Sequence, residues 1–276
     1  MKTLFTIGNL HIPFFGIMIA IGITVGYFLI RYEAKRKGID AEKISDLFFG
    51  GIVGGLIGGR LGYILFYNFN FYITNPIEIL KVYNGGLAIH GSIIGGTIAV
   101  LIFIKKNNLK VFEVADIVTP ALILGQAIGR VGCDVYGKVM TVPRFWGIPI
   151  NGEIYHPAQV YEFVLNYLLF MVLWIKRDKI KYQGQLFGYY LIGFGFIRSF
   201  VELFRENPTV FGFLSVSHVL SIFIILAGII WIKIMKYKSV STQHIHSGSN
   251  TLFVALKVVF LMLISIALYY VVQLNF

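Results

Sequence analysis

Cysteine and charged residues are both scarce in this chain of 276 residues, and each shortage excludes a class of protein. The single cysteine, Cys133, excludes an intramolecular disulfide and any metal site built from several cysteines. Only 13% of the residues are charged, whereas 57% are apolar, and the mean hydropathy is +0.77. Soluble globular domains do not have this composition. The chain is therefore predicted to be a polytopic membrane protein.

Acidic residues are also few, with 13 Asp and Glu against 24 Lys and Arg, which gives a net charge of +11. In a soluble protein such an excess would suggest a nucleic-acid partner. Here the basic residues fall mainly between apolar runs, which is typical of cytoplasmic loops that face anionic lipid head groups. We expect membrane lipids as partners and no nucleic acid.

Eight apolar runs are long enough, or nearly so, to span a bilayer core of about 30 Å. They cover roughly residues 11–30, 45–66, 87–104, 114–132, 158–175, 184–204, 214–235 and 252–273. This pattern predicts an all-α, polytopic transmembrane helical bundle. We expect seven core helices in residues 1–238, a polar linker at 239–251, and an additional C-terminal transmembrane helix in 252–276. Because the last run is almost purely apolar, we expect an appended anchor rather than a part of the core.

Basic residues alternate between the two sides of these runs. Fifteen follow the first, third, fifth and seventh runs, at positions 31, 35, 36, 37, 43, 105, 106, 110, 176, 177, 179, 181, 233, 236 and 238. Five lie on the other side, at positions 2, 81, 138, 144 and 205. Positively charged loops stay in the cytoplasm, so we expect the N-terminus and the loops 67–86 and 133–157 outside. The N-terminus does not resemble a cleavable signal peptide, because its basic cluster follows the first apolar run.

The second apolar run is rich in glycine and ends near an arginine. Gly50, Gly54 and Gly58 repeat every four residues, a spacing that permits close helix contact. Arg60 lies near the predicted external end of the same helix. Its guanidinium could reach the lipid head groups or meet a substrate phosphate, and the sequence favours neither.

Polar side chains also stand at the predicted external starts of two helices. His90 lies among glycines, which clear space for a ligand. A neutral imidazole there can act as a general base, although a lone histidine at a membrane interface is more often a hydrogen-bonding anchor. Gln159, Tyr161 and Glu162 begin the fifth helix, where they could hold the external loop or contact a head group.

Arginines gather at the predicted external ends of two further helices. Arg130 ends a stretch with Gly125, Gly129 and Gly132, and an arginine in a bilayer costs about 2.5–3.5 kcal/mol at the centre. On a later helix Arg198, Glu202 and Arg205 stand at i, i+4 and i+7 and so share one face. One positive charge on that face is uncompensated. Because guanidinium suits bidentate phosphate recognition, we predict a phospholipid-phosphate site at the external leaflet.

Seven motifs, taken in order, resemble the prolipoprotein diacylglyceryl transferase family. They are Gly59-Arg-Leu-Gly-Tyr-Ile-Leu-Phe-Tyr67, Asn75-Pro-Ile-Glu78, Gly85-Gly-Leu-Ala-Ile-His-Gly91, Ala115-Asp116 with Pro120, Gly125-Gln-Ala-Ile-Gly-Arg-Val-Gly132, His156-Pro-Ala-Gln-Val-Tyr-Glu162, and Arg198 to Arg205. Each motif is weak alone, but seven in the family's order are specific. They cover roughly residues 10–235 and leave the last helix outside.

The resemblance implies that the diacylglyceryl group of phosphatidylglycerol is transferred to the lipobox cysteine of a lipoprotein-precursor signal peptide, with release of glycerol phosphate. It implies a bacterial inner-membrane location and no metal or cofactor. His90 matches the family's essential histidine, often assigned as the base, and Glu202 matches a functional carboxylate. We expect catalytic roles for His90, Arg130 and Arg198, and substrate-binding roles for Arg60, Asp134, Gln159, Tyr161, Glu202 and Arg205.

The chain departs from the family pattern after Arg130-Val-Gly132. The family signature usually continues from Arg-x-Gly into Asn-Phe-x-Asn-x-Glu or a longer cysteine-containing form, whereas this chain has the shorter Cys-Asp-Val-Tyr-Gly137, so that Cys133 stands at the place of the asparagine. Phe15 and Phe194 stand where the family has tyrosines. Two alternatives therefore stay open: a phospholipid-binding membrane protein without catalysis, and a small-solute transporter. A transporter would be expected to carry inverted repeats, and the two halves show no convincing repeat.

Overall fold

The computed structural model describes residues 2–7, 10–81, 85–212, 214–238 and 250–275, and these are mainly helical. The helices are α1 (Phe14–Arg36), α2 (Ala41–Tyr67), α3 (Phe69–Thr74), α4 (Ile89–Lys106), α5 (Val111–Val131), α6 (Ala158–Lys176), α7 (Gln185–Glu202), α8 (Val216–Lys238) and α9 (Thr251–Asn275), with 3₁₀ turns at Pro76–Leu80 and Arg177–Lys179. Each of the eight predicted runs overlaps one long helix, while α3 was not predicted. Most of the predicted linker 239–251 lies outside the described residues.

Within the described ranges, three short antiparallel strand pairs connect or precede the helices. They are β1 (Thr3–Ile7) with β2 (Leu10–Pro13), β3 (Ile148–Ile150) with β4 (Glu153–Tyr155), and β5 (Thr209–Phe211) with β6 (Leu214–Ser215). The β3–β4 hairpin turns at Asn151 and Gly152, whose φ angles are 50° and 86°. An Asn-Gly pair with positive φ at both residues is the turn that suits a two-residue hairpin.

Seven of the helices in the described ranges are long and apolar enough to cross a membrane, namely α1, α2, α4, α5, α6, α8 and α9. The remaining long helix, α7, has 18 residues, and Gln185, Arg198 and Glu202 lower its hydropathy. The predicted all-α polytopic architecture is confirmed. The helix with the weakest membrane signal is the one that carries Arg198.

The chain forms two compact units, of which one comprises residues 31–114. In it α2 and α4 run antiparallel and meet through glycines. A Cβ atom on Gly58 would collide with the carbonyl oxygen of Gly91, and one on Gly54 would lie 2.8 Å from the carbonyl oxygen of Gly95. The close helix contact predicted from the glycine spacing is therefore present, and it needs glycine on both helices.

The other unit comprises residues 1–30 and 115–276, and its apolar core draws on α5, α6, α7 and α9. Phe163 and Tyr167 of α6 are fully buried in this core together with Tyr269 of α9. The Tyr167 and Ser265 hydroxyls hydrogen-bond at 2.8 Å, joining α6 to α9. Thus α9 contributes buried side chains to this core as well as apolar length for a membrane span.

A buried carboxylate fixes the start of α7 against α5. Asp116, in the second turn of α5, accepts hydrogen bonds from the backbone N–H groups of Gly184 (2.7 Å) and Phe187 (3.0 Å). The first N–H groups of a helix lack intrahelical partners, and a negative charge there is favourable. This contact sets the position of α7 and, at its other end, of Arg198.

Candidate active site

Two arginines and a glutamate meet where α5 ends, α6 begins and α7 ends. The Nε of Arg130 donates to Oε2 of Glu162 at 2.8 Å, and Nη1 of Arg198 donates to the same oxygen at 3.3 Å. The Glu162 side chain is 9% exposed, while those of Arg130 and Arg198 are 19% and 24% exposed. One largely buried carboxylate oxygen therefore bridges the two guanidinium groups that the sequence selects.

Glu202 forms a second carboxylate position beside Arg198. Its Oε2 lies 4.0 Å from Nη2 of Arg198, in agreement with their i, i+4 spacing. Its Oε1 accepts hydrogen bonds from the Asn207 side chain at 2.7 Å and the Ser215 hydroxyl at 2.6 Å. Glu202 thus joins the end of α7 to the strand pair that leads into α8.

Arg205 was predicted to share the helix face of Arg198, but α7 ends at Glu202. Arg205 follows in a turn, in which its backbone N–H donates to the Glu202 carbonyl at 3.1 Å. Burial lowers the pKa of Arg205, and the charges of Arg130 and Arg198 lower it further. The three guanidinium groups therefore lie within electrostatic reach of one another. Glu162 and Glu202 balance two of them, which leaves one positive charge in excess.

The remaining nitrogens of Arg130 differ in their surroundings. Nη1 donates to the sulfur of Cys133 at 2.9 Å. Nη2 is buried, and no partner for it lies within the described part of the chain. Nearby, a Cβ on Gly132 would lie 2.7 Å from Cα of Phe15, so only glycine permits this approach of α1. An unpaired buried N–H donor on a guanidinium marks a position where an anionic oxygen would be stabilised.

Aromatic residues hold the loop 133–157 against α6 next to this cluster. The Tyr161 hydroxyl hydrogen-bonds with Nδ1 of His156 at 3.0 Å and accepts from Nε1 of Trp146 at 3.1 Å. The Phe204 ring packs against both Tyr161 and His156. Burial, with a smaller contribution from Lys138, lowers the pKa of His156. Tyr161 therefore contacts the external loop, which is one of the two roles that the sequence left open for it.

Gln159 and Asp134, the other predicted substrate-binding residues of this unit, differ in their hydrogen bonding. Gln159 is fully buried, and neither its amide oxygen nor its nitrogen has a partner within the described residues. Asp134 accepts from the backbone N–H of Lys2 at 2.9 Å and from the Gln273 side chain at 3.1 Å. Asp134 thus joins the start of the chain to the end of α9.

Arg60, in the other compact unit, is 5% exposed and donates to backbone carbonyls. The acceptors are the carbonyl oxygens of Ile79, Gly85, Gly86, Glu78 and Lys81, at 3.0, 2.6, 3.1, 2.5 and 3.4 Å. Its guanidinium also lies 5.0 Å from the centre of the Tyr72 ring. The side chain thus orders the segment between α2 and α4, a third possibility beside the two that the sequence left open.

His90 is the second residue of α4 and is exposed. No hydrogen-bond partner for its imidazole lies among the described residues of the chain. An imidazole nitrogen without a partner can accept a proton from a donor placed beside it. His90 is therefore available as a base in the unit that contains it.

Comparison with known proteins gives a consistent result. A sequence profile described as prolipoprotein diacylglyceryl transferase matches residues 2–234. The chain belongs to this family. A Vibrio cholerae protein named phosphatidylglycerol–prolipoprotein diacylglyceryl transferase is 35% identical over 239 residues, which cover 82% of this chain and 88% of the relative. Proteins of the same name from Finegoldia magna and Coxiella burnetii are 36% and 35% identical, over 83% and 76% of this chain and 93% and 84% of their own lengths.

Within this transferase family member, the structure brings together Arg130, Arg198, Glu202 and Arg205, all predicted from the sequence. Glu162 is the residue whose importance sequence reasoning missed, although it was noticed at the start of α6. Its signal was a carboxylate at the buried start of an apolar helix. Such a group requires a nearby cation, and Arg130 was one of the arginines available.

Proposed function

We propose that the chain transfers the diacylglyceryl group of phosphatidylglycerol to the cysteine thiol of a lipoprotein precursor and releases glycerol phosphate. The observation that carries this proposal is the pair of arginines bridged by Glu162, with Arg205 within electrostatic reach and one buried N–H donor unpaired, in a member of this family. The relatives' names supply the two substrates. An excess guanidinium charge at a helix end suits the phosphate of such a lipid.

In this proposal the arginine cluster binds the lipid phosphate. Arg130 and Arg198 supply hydrogen bonds to its oxygens, and Arg205 adds positive charge at close range. Glu162 keeps the first two guanidinium groups in one orientation. Gln159 and Tyr161 lie one turn or less from Glu162 on α6 and are the proposed contacts for the polar head group.

The proposed reaction forms a carbon–sulfur bond and breaks the carbon–oxygen bond between the diacylglyceryl group and the phosphate. A thiol is a poor nucleophile until it is deprotonated, and His90 is the proposed acceptor of that proton. The electron pair of the broken bond remains on the phosphate oxygen, so the leaving group gains negative charge. Arginines fixed in advance by Glu162 stabilise that charge most strongly in the transition state.

We further propose a location in the bacterial inner membrane, with the N-terminus outside and the cluster at the external leaflet. Within one unit the cluster lies at the end of α5, the start of α6 and the end of α7. Lys176 and Lys181 lie at the opposite ends of α6 and α7. Because basic segments favour the cytoplasmic side, the arginine cluster is assigned to the other side.

The test is thioether formation on a lipobox peptide incubated with purified protein and phosphatidylglycerol, followed by mass spectrometry. Arg130→Ala should abolish the product, since both the Glu162 bridge and the unpaired donor disappear. Arg144→Ala, at an exposed arginine in the loop that follows α5, is the matched control and should retain the activity. Wild-type turnover by the Arg130→Ala protein would contradict the proposal.

A second candidate function is phospholipid binding without catalysis. It is favoured by Phe194, which stands where the family has a tyrosine and stacks on Tyr190 with a ring distance of 5.7 Å. It is also favoured by Cys133, which occupies one side of Arg130. The same assay separates the two functions, because this candidate requires phosphatidylglycerol bound to the protein and no thioether product.

A further inference from the structure

A basic groove lies at the ends of α6 and α8, far from the arginine cluster. It has a volume of ≈ 490 Å³, and the lysines that line it are Lys176, Lys179, Lys181 and Lys236. Glu162 and Lys176 stand near opposite ends of α6, so about 21 Å of helix separates the groove from the cluster at 1.5 Å per residue. The groove is therefore a separate location on the same unit.

The charge of the groove is uncompensated by its own lining. Among the described residues that line it, none is acidic. The nearby carboxylates have other contacts: Asp178 lies 3.5 Å from Nε of Arg177, and Asp116, whose charge reaches Tyr182 of the lining, accepts from the start of α7. Four ammonium groups around one space repel each other, and an anion among them would remove that repulsion.

Two tyrosine hydroxyls of the groove, those of Tyr182 and Tyr189, can donate hydrogen bonds. The Gln185 side chain donates to the Tyr189 hydroxyl oxygen at 2.7 Å. The hydrogen of that hydroxyl is not used in this bond and can be donated to another acceptor. The backbone N–H of Lys181 holds the Gln185 side chain in turn, at 2.7 Å. Burial raises the pKa of Tyr182, so its hydroxyl also keeps its proton. Donors of this kind complement the oxygens of a phosphate group.

The position of the groove distinguishes a lipid from a soluble anion. Lys176 and Lys236 stand in the last turns of the apolar helices α6 and α8, where a membrane-spanning segment meets the head groups. Ile232 extends the lining along α8 with an apolar side chain. We propose that this groove binds the phosphate-bearing head group of an anionic membrane lipid. The inference does not depend on the proposed transferase activity.

The test uses tryptophan quenching by lipids with brominated acyl chains, with the full chain in phosphatidylcholine bilayers. The chain has three tryptophans. Trp231 donates to the Gly184 carbonyl at 2.8 Å, and the Trp174 ring lies 3.2 Å from the guanidinium carbon of Arg177, so both lie at the groove end of their helices. Trp146→Phe removes the third. Brominated phosphatidic acid, which is anionic and is not the proposed substrate, is titrated against brominated phosphatidylcholine.

Two quadruple variants separate the groove from general basic charge. The groove variant combines Lys176→Gln, Lys179→Gln, Lys181→Gln and Lys236→Gln, and the control combines Lys105→Gln, Lys106→Gln, Lys233→Gln and Lys238→Gln. We expect the preference for phosphatidic acid to fall roughly tenfold in the groove variant and to stay within about twofold of the parent in the control. Equal losses in both variants, or no preference in the parent, would overturn the proposal.

A further arm distinguishes a lipid head group from free phosphate. Inorganic phosphate is added at millimolar concentration to the parent protein with brominated phosphatidic acid bound, at constant ionic strength. The lipid should remain bound, because its acyl chains hold it in the bilayer beside the groove. Displacement by phosphate but not by an equivalent concentration of sodium chloride would assign the groove to a soluble phosphate and overturn the lipid assignment.

Discussion

Glu162→Gln is the substitution that most directly tests the arginine cluster. It keeps the size of the side chain but removes the charge that bridges Arg130 and Arg198 at 2.8 and 3.3 Å. At an effective dielectric constant near 20, two charges about 4 Å apart attract by about 4 kcal/mol. Removing one member of a buried ion pair typically costs about 3–5 kcal/mol. Since the two arginines are 19% and 24% exposed, solvent weakens the interaction, and we expect Glu162→Gln to cost about 2–3 kcal/mol.

If the same free energy is lost from the transition state, the turnover number falls roughly 30- to 150-fold. The Michaelis constant for phosphatidylglycerol should not rise, because the excess positive charge still attracts the lipid while the guanidinium groups lose their fixed orientation. The assay is the initial rate of thioether formation over a range of lipid concentrations. Thermal unfolding in the same detergent measures the accompanying loss of stability.

Glu153→Gln is the matched control, since it makes the same chemical change at an exposed position on β4. Surface substitutions of this kind usually change stability by less than about 0.5 kcal/mol. If Glu162→Gln keeps the rate and the unfolding temperature of the parent protein, the bridge between the two arginines has no role and the reasoning is refuted.

Three further predictions concern other parts of the molecule. Arg60→Met should lower the unfolding temperature and speed proteolysis between residues 75 and 86, because five backbone carbonyls lose a charged donor, each worth about 1.5–3 kcal/mol. Cys133→Asn should keep or raise thioether formation, because an amide oxygen can accept from Nη1 of Arg130 as the sulfur does. Burial lowers the pKa of His156 in the folded protein below 6.5. As the pH drops through 6.5, the unfolded chain therefore binds a proton before the folded protein does, and the stability of the folded protein should fall. His156→Asn should flatten that pH dependence of stability.

Each of these predictions has a contradicting result. The Arg60 prediction is contradicted if the Arg60→Met variant is no more sensitive to protease than the Arg144→Met variant, in which an exposed arginine is changed. The proposal for Cys133 fails if the asparagine variant is inactive while Cys133→Ala is active. The His156 prediction fails if stability between pH 5 and 8, measured by denaturant unfolding, has the same slope in the parent and the variant.

Hydropathy located the long helices because a membrane-spanning segment must be apolar over most of its length. It could not assign the role of α9, because an apolar side chain that faces lipid and one that faces another helix look alike in the sequence. Tyr269 and Val272 are buried against α6, whereas Val271 and Leu274 are exposed. The prediction of an appended anchor therefore lacked the information that packing supplies.

The arginines were found because an intramembrane charge is costly and therefore conspicuous. Their partners were harder to predict for two physical reasons. Glu162 is 32 positions from Arg130 and 36 from Arg198, and spacing on one helix predicts neighbours only within about one turn. The acceptors of Arg60 are backbone carbonyls, which every residue carries and no side-chain pattern reveals.

The hydrogen bonds around Asp134 cannot all form until Gln273 has been synthesised. The carboxylate receives one hydrogen bond from Lys2 and another from Gln273, and the Gln273 oxygen in turn accepts from Tyr136 at 2.6 Å. The ribosome makes Lys2 before Asp134 but Gln273 only after the helices α6 to α8. The segment directly beyond Arg130 is therefore incompletely bonded while those helices enter the membrane. Its final conformation is reached after α9 has been translated.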